Sequence, residues 1–392
     1  MNILLIAPEP FFVIRGTPLA VRELVTTLGA LGHSVDVLTI HLGSDITAPG
    51  VRIIRTRAFS RFIRFVPPGY SHQKMVLDFV ILTKALGLIL RNRYDVVHCV
   101  EESSYFISWF RWLRKFIFIH DMDSDIPHQL KYSGEVTNRF ILQLVKMMDR
   151  IALSRADAVV TICPVFTDAV KRSFPDKPVF QIEDVSVSDE IPPSCGHAAG
   201  QTVIYTGNLE AYQGLGILLD GFRKIQGRWP DARLLIVGGE EGEVREMKER
   251  YREPRIVFAG KKPVSEMPRV LQTADILVSP RASGENTPYK IYSYLASGKP
   301  TLATHITSHT QILHDGEDAL LVDPTEQGIA EGLDLLLGNA DLARKIGAGG
   351  RKLFEARYSR NRYREKVVAL VKFLEEHRRL NNSSKCKAES EK

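Results

Sequence analysis

Short apolar segments alternate with amphipathic helical patterns along this chain, and the alternation starts afresh near residue 200. In the first half these segments are Ile3–Ala7, Val35–Ile40, Asp95–His98, Phe116–Ile119 and Ala158–Thr161. In the second half they are Thr202–Tyr205, Arg233–Val237, Ile256–Ala259, Ile276–Ser279, Thr301–Thr304 and Leu320–Val322. Apolar strands with helices between them are typical of parallel sheets covered on both faces. The sequence therefore predicts an α/β protein with two Rossmann-like, doubly wound domains that face each other across a cleft.

The predicted domain boundaries follow from changes in composition. Residues 1–190 form the first domain, and 191–200, with Pro192, Pro193 and Gly196, form a linker. Residues 201–356 form the second domain, 357–379 a C-terminal helix, and the polar residues 380–392 a disordered tail.

Composition and apolar length predict a cytoplasmic protein. The 392 residues include four scattered cysteines without metal-ligand spacing, which is typical of a reducing compartment and predicts no structural zinc. The apolar N-terminus lacks basic residues and is interrupted by Pro8 and Pro10, so it resembles a buried strand more than a signal peptide. The longest apolar stretch, Met75 to Leu90, is too short to span a bilayer and contains Asp78 and Lys84.

Positive charge is concentrated between Val51 and Arg93, which carry a net charge of +8 within a chain of net charge +6. No nucleic-acid motif accompanies this charge, so a nucleic-acid partner is not predicted. In Arg57–Phe65, arginines alternate with phenylalanines, a mixture that suits an anionic membrane surface. The segment predicts a peripheral protein at the inner membrane face. The alternative is a solvated loop whose phenylalanines fold back on the core.

Two helices carry the same boundary signals. Thr17-Pro18 opens one that Gly32 ends, and Thr287-Pro288 opens another that Gly298 ends. Threonine at the N-cap, proline at the first helical position and a terminal glycine are each favoured there. Free N–H groups at helix N-termini suit phosphates, although both helices are also explained as ordinary, well-capped ones.

The segment from Ser279 to Pro300, SPRASGENTPYKIYSYLASGKP, resembles the donor-site motif of glycosyltransferase family 4. That family has a glutamate, seven residues and a second glutamate on the following helix. Four further segments resemble it in order and spacing, so that the similarity covers nearly the whole chain: Gly32–Val35, Tyr94–His98, Tyr205–Leu209 and His314–Gly316. The resemblance implies a GT-B fold, whose C-terminal helix we expect to cross back to the first domain. It also implies a retaining transfer from a nucleotide-diphosphate sugar to an acceptor, without a metal or other cofactor.

The resemblance assigns Glu285 to the first glutamate of the motif, beside the transferred sugar, whereas Ser293 replaces the second, which holds the ribose. It also implies donor binding by Gly207, Asn286, Thr287 and Pro288. The two cations that the family uses on the diphosphate are replaced here by Asn208 and Gln213. Because a developing diphosphate needs neutralisation, Arg281 and Lys290 are candidate substitutes, the latter in the first turn of the helix.

In the first domain, the resemblance implies that His120 touches the donor sugar and supports the reaction, and that the loop with Gly16 and Thr17 closes on the diphosphate. A core histidine and a plain turn are the respective alternatives. Three polar residues follow or end another strand and are acceptor-side candidates: His98, Glu101 and Glu102. A hexose is the expected group transferred, and the expected acceptor is a glycan or a lipid-linked molecule.

Three other functions remain open. Asp121, Asp123 and Asp125 form overlapping Asp-x-Asp triplets, as in metal-dependent transferases. A sugar-nucleotide epimerase would use the same fold. A sugar-nucleotide-binding protein without activity would explain the losses at Asn208, Gln213 and Ser293.

Overall fold

The computed structural model describes residues 1–13, 16–56, 63, 72–127, 130, 138–186 and 201–390. Contacts divide the chain into two units. The first comprises Met1–Glu183 with Tyr363–Lys392, and the second comprises Asp184–Arg362. The predicted linker, 191–200, lies outside the described residues.

The first unit contains a seven-stranded parallel sheet with the order β3-β2-β1-β4-β5-β6-β7 among its described residues. Its strands are β1 Asn2–Ala7, β2 Ser34–Thr39, β3 Val51–Arg55, β4 Val96–Val100, β5 Ile117–Met122, β6 Ala158–Thr161 and β7 Val179–Gln181. Its helices are α1 Gly16–Ala30, α2 His72–Arg91, α3 Ser103–Phe110, α4 Arg139–Arg155 and α5 Pro164–Ser173.

The second unit contains a six-stranded parallel sheet with the order β10-β9-β8-β11-β12-β13. Its strands are β8 Thr202–Thr206, β9 Arg233–Val237, β10 Ile256–Gly260, β11 Ile276–Ser279, β12 Thr301–Thr304 and β13 Leu320–Val322. Its helices are α6 Leu215–Ile225, α7 Glu241–Arg250, α8 Met267–Gln272, α9 Tyr289–Ser297, α10 Thr307–Thr310, α11 Glu326–Gly338 and α12 Ala340–Leu353.

The two doubly wound sheets confirm the predicted fold class, and every predicted apolar segment lies on a strand. Two strands were not predicted, β3 and β7, which lie at the edges of the first sheet. Their side chains are only partly buried, and β3 contains Arg52 and Arg55. An edge strand is covered less completely, so its sequence need not be apolar throughout.

Both predicted helix starts are wrong in detail. Helix α1 begins at Gly16, so Thr17 lies in the first turn and is not the N-cap. Helix α9 begins at Tyr289 with Pro288 as its N-cap, and the buried Thr287 side chain accepts a hydrogen bond from Gln311. The predicted glycine at its C-terminus is confirmed, since Gly298 caps the helix in the left-handed conformation, with φ +66°.

The C-terminal helix α13, Arg360–Ser390, belongs to the first unit, as the predicted return requires. Phe373 packs on Phe180 of β7 with 5.3 Å between ring centroids, and Arg378 Nε lies 2.9 Å from Asp95 Oδ1. The helix extends through residue 390, whereas the sequence predicted a disordered tail from residue 380.

Among the described residues, no helix is long and apolar enough to cross a membrane. The Arg57–Phe65 segment, on which the predicted membrane surface depends, lies outside the described residues except for Ile63.

Candidate active site

The second sheet changes the direction of its strand order between β8 and β11, and the predicted donor residues follow these two strands. Ligands of doubly wound sheets bind at such a switch point, beyond the carboxyl ends of the strands. Residues 207–214 follow β8, and residues 280–288 connect β11 to α9. The topology alone therefore brings the two segments together.

Lys290, in the first turn of α9, extends towards the loop after β8. Its Nζ donates a hydrogen bond to Gln213 Oε1 over 3.0 Å and lies 3.9 Å from the centroid of the Tyr205 ring. Burial, reinforced by the nearby charge of Arg281, holds the pKa of Lys290 well below its usual range. Within the described ranges no carboxylate forms an ion pair with it. A buried lysine without a carboxylate partner is a candidate anion-binding group, because a bound anion would stabilise its charged form.

Gly207 gives this ammonium group its space. A Cβ atom at this position would lie 2.9 Å from Lys290 Nζ, and the backbone has φ +142°, which side chains rarely allow. The next residue, Asn208, is exposed and donates from Nδ2 to Tyr212 Oη over 3.3 Å. Lys290 thus lies against Gly207 and Gln213, two of the predicted donor residues.

Arg281 is buried, and its guanidinium binds the loop that it begins. It donates to Ser283 O over 2.8 Å, to Asn286 O over 2.8 Å and to Asn286 Oδ1 over 2.9 Å. At Gly284, φ is +121°, and a Cβ would lie 2.4 Å from an Arg281 nitrogen. The predicted contact of Arg281 with phosphate stays a prediction. Arg281 orders the loop and contributes positive charge beside Lys290.

The same loop carries Glu285 and is held from its other side by Gln311. The Gln311 amide donates to Glu285 O over 2.7 Å and to Thr287 Oγ1 over 3.0 Å. The Glu285 backbone is therefore fixed on a connection that is otherwise irregular. Sequence reasoning missed Gln311, because it lies between two segments of the family resemblance, Ser279–Pro300 and His314–Gly316.

A second buried network, also missed, lies beneath the loop. His309 Nδ1 is 2.8 Å from Thr304 O, and its Nε2 is 2.9 Å from Ser279 Oγ. Because a carbonyl only accepts, Nδ1 carries the proton and Nε2 accepts from the serine. Burial lowers the pKa of His309 to about 3, so it is neutral at pH 7. Thr304 Oγ1 also donates to Arg281 O over 2.5 Å, which connects the network to the loop.

Ser293, at the position of the second family glutamate, is buried. Its Oγ accepts from Ser186 Oγ over 3.4 Å. Both residues belong to the second unit. A ribose contact at this position would therefore involve one or two hydroxyls in place of a carboxylate.

The first sheet has its own switch point, between β1 and β4, and a mainly apolar pocket lies there. Two acidic residues, Asp78 of α2 and Glu102 after β4, contribute to its lining beside Ser103 and seven apolar residues: Ile6, Pro8, Ile81, Leu82, Ala85, Phe106 and Ile107. Glu102 forms an ion pair with Lys74 of α2. Burial, reinforced by Glu102, raises the pKa of Asp78 to about 8. Lys74 and Asp78 were not predicted, although a charged i, i+4 pair on an apolar helix was the available signal.

Glu101, an acceptor-side candidate, directly follows β4 in a strained conformation with φ +49°. Its N–H donates to Asp121 O over 2.9 Å, and its carboxylate accepts from Ser124 Oγ over 2.9 Å. Burial, reinforced by Glu102, raises its pKa to about 7. The structure thus brings Glu101 and Glu102 together at the carboxyl edge of the sheet.

His98, the third acceptor-side candidate, lies inside β4 and is buried. Its Nε2 is 2.6 Å from Asp121 Oδ2, whereas Asp121 Oδ1 has no hydrogen-bond partner among the described residues. Asp121 itself lies inside β5, not on the loop that the Asp-x-Asp alternative requires. In the described part of the chain, no group of three or more His, Cys, Asp and Glu side chains is placed to hold a metal ion.

His120 lies inside β5, whereas the sequence placed it after the end of that strand. It is buried against Tyr105, with 6.3 Å between ring centroids. Burial lowers its pKa to about 4, so the ring is neutral at pH 7. Its Nδ1 has no partner among the described residues, so one polar atom remains for a ligand.

Solved structures superpose on nearly the whole chain. Sucrose-phosphate synthase from Thermosynechococcus elongatus superposes with a TM-score of 0.80 at 19% identity, over 95% of this chain and 98% of that chain. HepE from Anabaena, solved with UDP and glucose, has a TM-score of 0.70 at 14% identity, over 95% and 99%. These similarities establish the GT-B fold.

Two family models match the sequence. One, described as "Glycosyl transferase 4-like domain", matches residues 15–182, and the other, "Glycosyl transferases group 1", matches residues 200–339. A phosphatidyl-myo-inositol mannosyltransferase from Mycobacterium leprae is 24% identical over 89% of this chain and 91% of its own length. The chain therefore belongs to glycosyltransferase family 4 and is a glycosyltransferase.

Proposed function

We propose that this protein is a retaining, metal-independent hexosyltransferase that takes its sugar from a nucleotide-diphosphate sugar bound in the second unit. The observation that carries the proposal is the buried ammonium group of Lys290. It lies beside Gly207 and Gln213, and the nearby charge of Arg281 contributes to lowering its pKa. Among the described residues, no carboxylate forms an ion pair with it. A diphosphate supplies the negative charge that this arrangement lacks.

In this mechanism the bond between C1 and the diphosphate lengthens, and negative charge develops on the departing phosphate. Lys290 and the first N–H groups of α9 stabilise that charge. Arg281 and Gln311 keep the loop with Glu285 in place. Glu285 lies beside the sugar, where its carboxylate stabilises positive charge on the ring. Because the sequence identifies no carboxylate as nucleophile, we favour front-face attack, in which the leaving phosphate accepts the acceptor's proton.

The first unit supplies His120 and the carboxyl groups at the switch point of its sheet. His120 is neutral, and we propose that its Nδ1 forms a hydrogen bond with a donor sugar hydroxyl. Glu101, Glu102 and Asp78 offer carboxyl oxygens to an acceptor hydroxyl. Two relatives support the proposed classes of donor and acceptor. HepE was solved with UDP and glucose, and the Mycobacterium leprae relative is named for a phosphatidyl-inositol acceptor. We therefore propose a lipid-linked or glycan acceptor at the cytoplasmic face of a membrane.

The test is a thermal-shift screen with UDP- and GDP-sugars, followed by donor hydrolysis with and without EDTA. A ligand that binds only the native state raises the melting temperature of the protein, so the nucleotide sugar that binds is detected by this increase. We expect one nucleotide class to stabilise the protein, with turnover unaffected by EDTA. The anomeric configuration of the product, read by NMR, tests retention.

Two results would contradict the proposal. Turnover lost in EDTA and restored by Mn²⁺ would favour the metal-dependent alternative. If a nucleotide sugar stabilised the protein but was neither hydrolysed nor transferred to any acceptor tested, the protein would be a sugar-nucleotide-binding protein without activity. The replacement of the second family glutamate by Ser293 motivates that alternative.

A further inference from the structure

Helix α4, Arg139–Arg155, presents large apolar side chains to solvent. Phe140 is 76% exposed, and Leu144 and Met147 are 41% and 51% exposed. Their spacing of four and three residues places them on one side of the helix, in what we call the apolar stripe (Phe140, Leu144 and Met147). Exposed apolar residues scattered singly are common, but a continuous row of this kind marks a binding surface.

The last residue of α4, Arg155, connects the side of the helix that carries the apolar stripe to a neighbouring exposed tryptophan. Arg155 lies about three turns beyond Leu144, and hence on the same side. Its guanidinium lies 4.7 Å from the centroid of the Trp109 ring, and Trp112, which follows, is 79% exposed. Trp109, near the end of α3, therefore lies beside the end of α4, and the exposed Trp112 follows it three residues later.

Positive charge runs alongside. Three exposed cations, which we call the basic stripe, lie next to the apolar stripe: Arg139, Lys146 and Arg150. Arg139 adjoins Phe140 in sequence, Lys146 adjoins Met147, and Arg150 follows Met147 by three residues. The helix contains a single acid, Asp149, which faces inwards and accepts a hydrogen bond from Tyr105 Oη over 3.1 Å. The exposed side of α4 is thus apolar and cationic, without a carboxylate of its own.

We propose that the two stripes and the tryptophans form a surface that docks on an anionic lipid bilayer. An interfacial helix buries its apolar row among the acyl chains near the headgroups, while its cations meet lipid phosphates. Tryptophan favours that interface because its ring is apolar and its N–H is polar. A second copy of this chain fits less well, since it brings the same positive charge to the surface. The inference rests on the proposed function in one respect: an enzyme with an acceptor at a membrane needs to reach that membrane.

The experiment is sedimentation with vesicles of phosphatidylcholine and phosphatidylglycerol, and with phosphatidylcholine alone. We expect binding to the anionic vesicles only, weakened by high salt. Replacing the basic stripe (R139Q, K146Q and R150Q) should lower binding roughly a hundredfold, as expected for three cations near an anionic surface. Replacing the apolar stripe (F140S, L144S and M147S) should abolish it. The matched control changes three exposed cations of the second unit (R245Q, K248Q and R252Q) and should bind as the wild type does.

Trp112 provides a local measurement. Brominated lipids should quench tryptophan fluorescence in the wild-type protein and much less in Trp112→Phe. Nucleotide-dependent stabilisation should remain in all stripe variants, which shows that they are folded and separates this test from that of the proposed function. Absence of wild-type binding to anionic vesicles, or full binding by both stripe variants, would overturn the proposal. So would a dimer in sedimentation equilibrium that the same substitutions dissociate.

Discussion

The two units place different ionisable groups at equivalent points of similar sheets: mainly basic groups in the second unit and mainly carboxyl groups in the first. In the second unit, the switch point between β8 and β11 carries Lys290 and Arg281. In the first, the switch point between β1 and β4 carries Asp78, Glu101 and Glu102 around Lys74. Topology therefore determines where a ligand lies, whereas the side chains after each strand determine its charge.

Burial acts on both sites in opposite directions. It lowers the pKa of Lys290 and raises those of Asp78 and Glu101. Burial thus disfavours the charged form of each group, and a bound ligand can restore it: a diphosphate in one unit, and hydroxyl groups that donate to the carboxylates in the other.

The largest expected effect concerns the chemistry beside the cationic site. Glu285→Gln should lower turnover at least about a hundredfold, because the carboxylate that stabilises the positive sugar is lost. Donor affinity should stay within roughly tenfold. Steady-state kinetics with the donor measure both quantities, and Glu317→Gln, an exposed acid of the same unit, is the matched control. Unchanged turnover would remove Glu285 from the active site.

A smaller effect is expected for the cation itself. Lys290→Met should weaken binding of the nucleoside diphosphate by about 1.5–3 kcal/mol, the typical contribution of a charge-assisted contact, and leave nucleoside binding nearly unchanged. Isothermal titration compares the two ligands, with the exposed Lys262→Met as control. If the affinities for the nucleoside diphosphate and the nucleoside fell equally, Lys290 would not bind the phosphates. The proposed anion site of the second unit would then be lost.

The lowered pKa of Lys290 gives a third prediction. A bound diphosphate should raise that pKa, so binding takes up as much as one proton. Affinity should therefore fall as pH rises through the interval between the free and bound pKa values. The binding enthalpy in buffers of different ionisation enthalpy measures the uptake. The uptake should vanish in Lys290→Met, and its persistence there would assign the proton to another group.

The acidic site offers the smallest effect. The pKa of Asp78 is about 8 in the native protein and close to its usual 3.8 when unfolded. The native state is therefore penalised increasingly as pH rises from about 4 to about 8. Asp78→Asn should raise the melting temperature at pH 8, by roughly 2–4 °C per kcal/mol recovered, and change little at pH 4. Asp231→Asn, on the surface of the second unit, should have no such pH dependence. A stabilisation equal at both pH values would show that ionisation is not its cause.

Much of the donor site was predicted from residues 279–300, because a strand, a capped turn and a helix are local features. Thr287 shows the limit of that reasoning. Its hydroxyl was expected to cap α9, but the Gln311 amide, remote in sequence, binds it. The three hydrogen bonds from Arg281 to its own loop were likewise not predicted, whereas its contact with phosphate stays a prediction. In both cases the partner depends on packing that no local pattern records.

The sequence by itself determined the two sheets, the order of their elements and the family, because periodicity and motifs lie along the chain. Only the tertiary structure decided that Lys290 lies against Gly207 and Gln213, that His120 is buried within β5, and that Asp78 joins Glu101 and Glu102. The physical reason is that burial and charge pairing are properties of neighbours in space. These neighbours come from different strands and helices, and the sequence separates them by tens of residues.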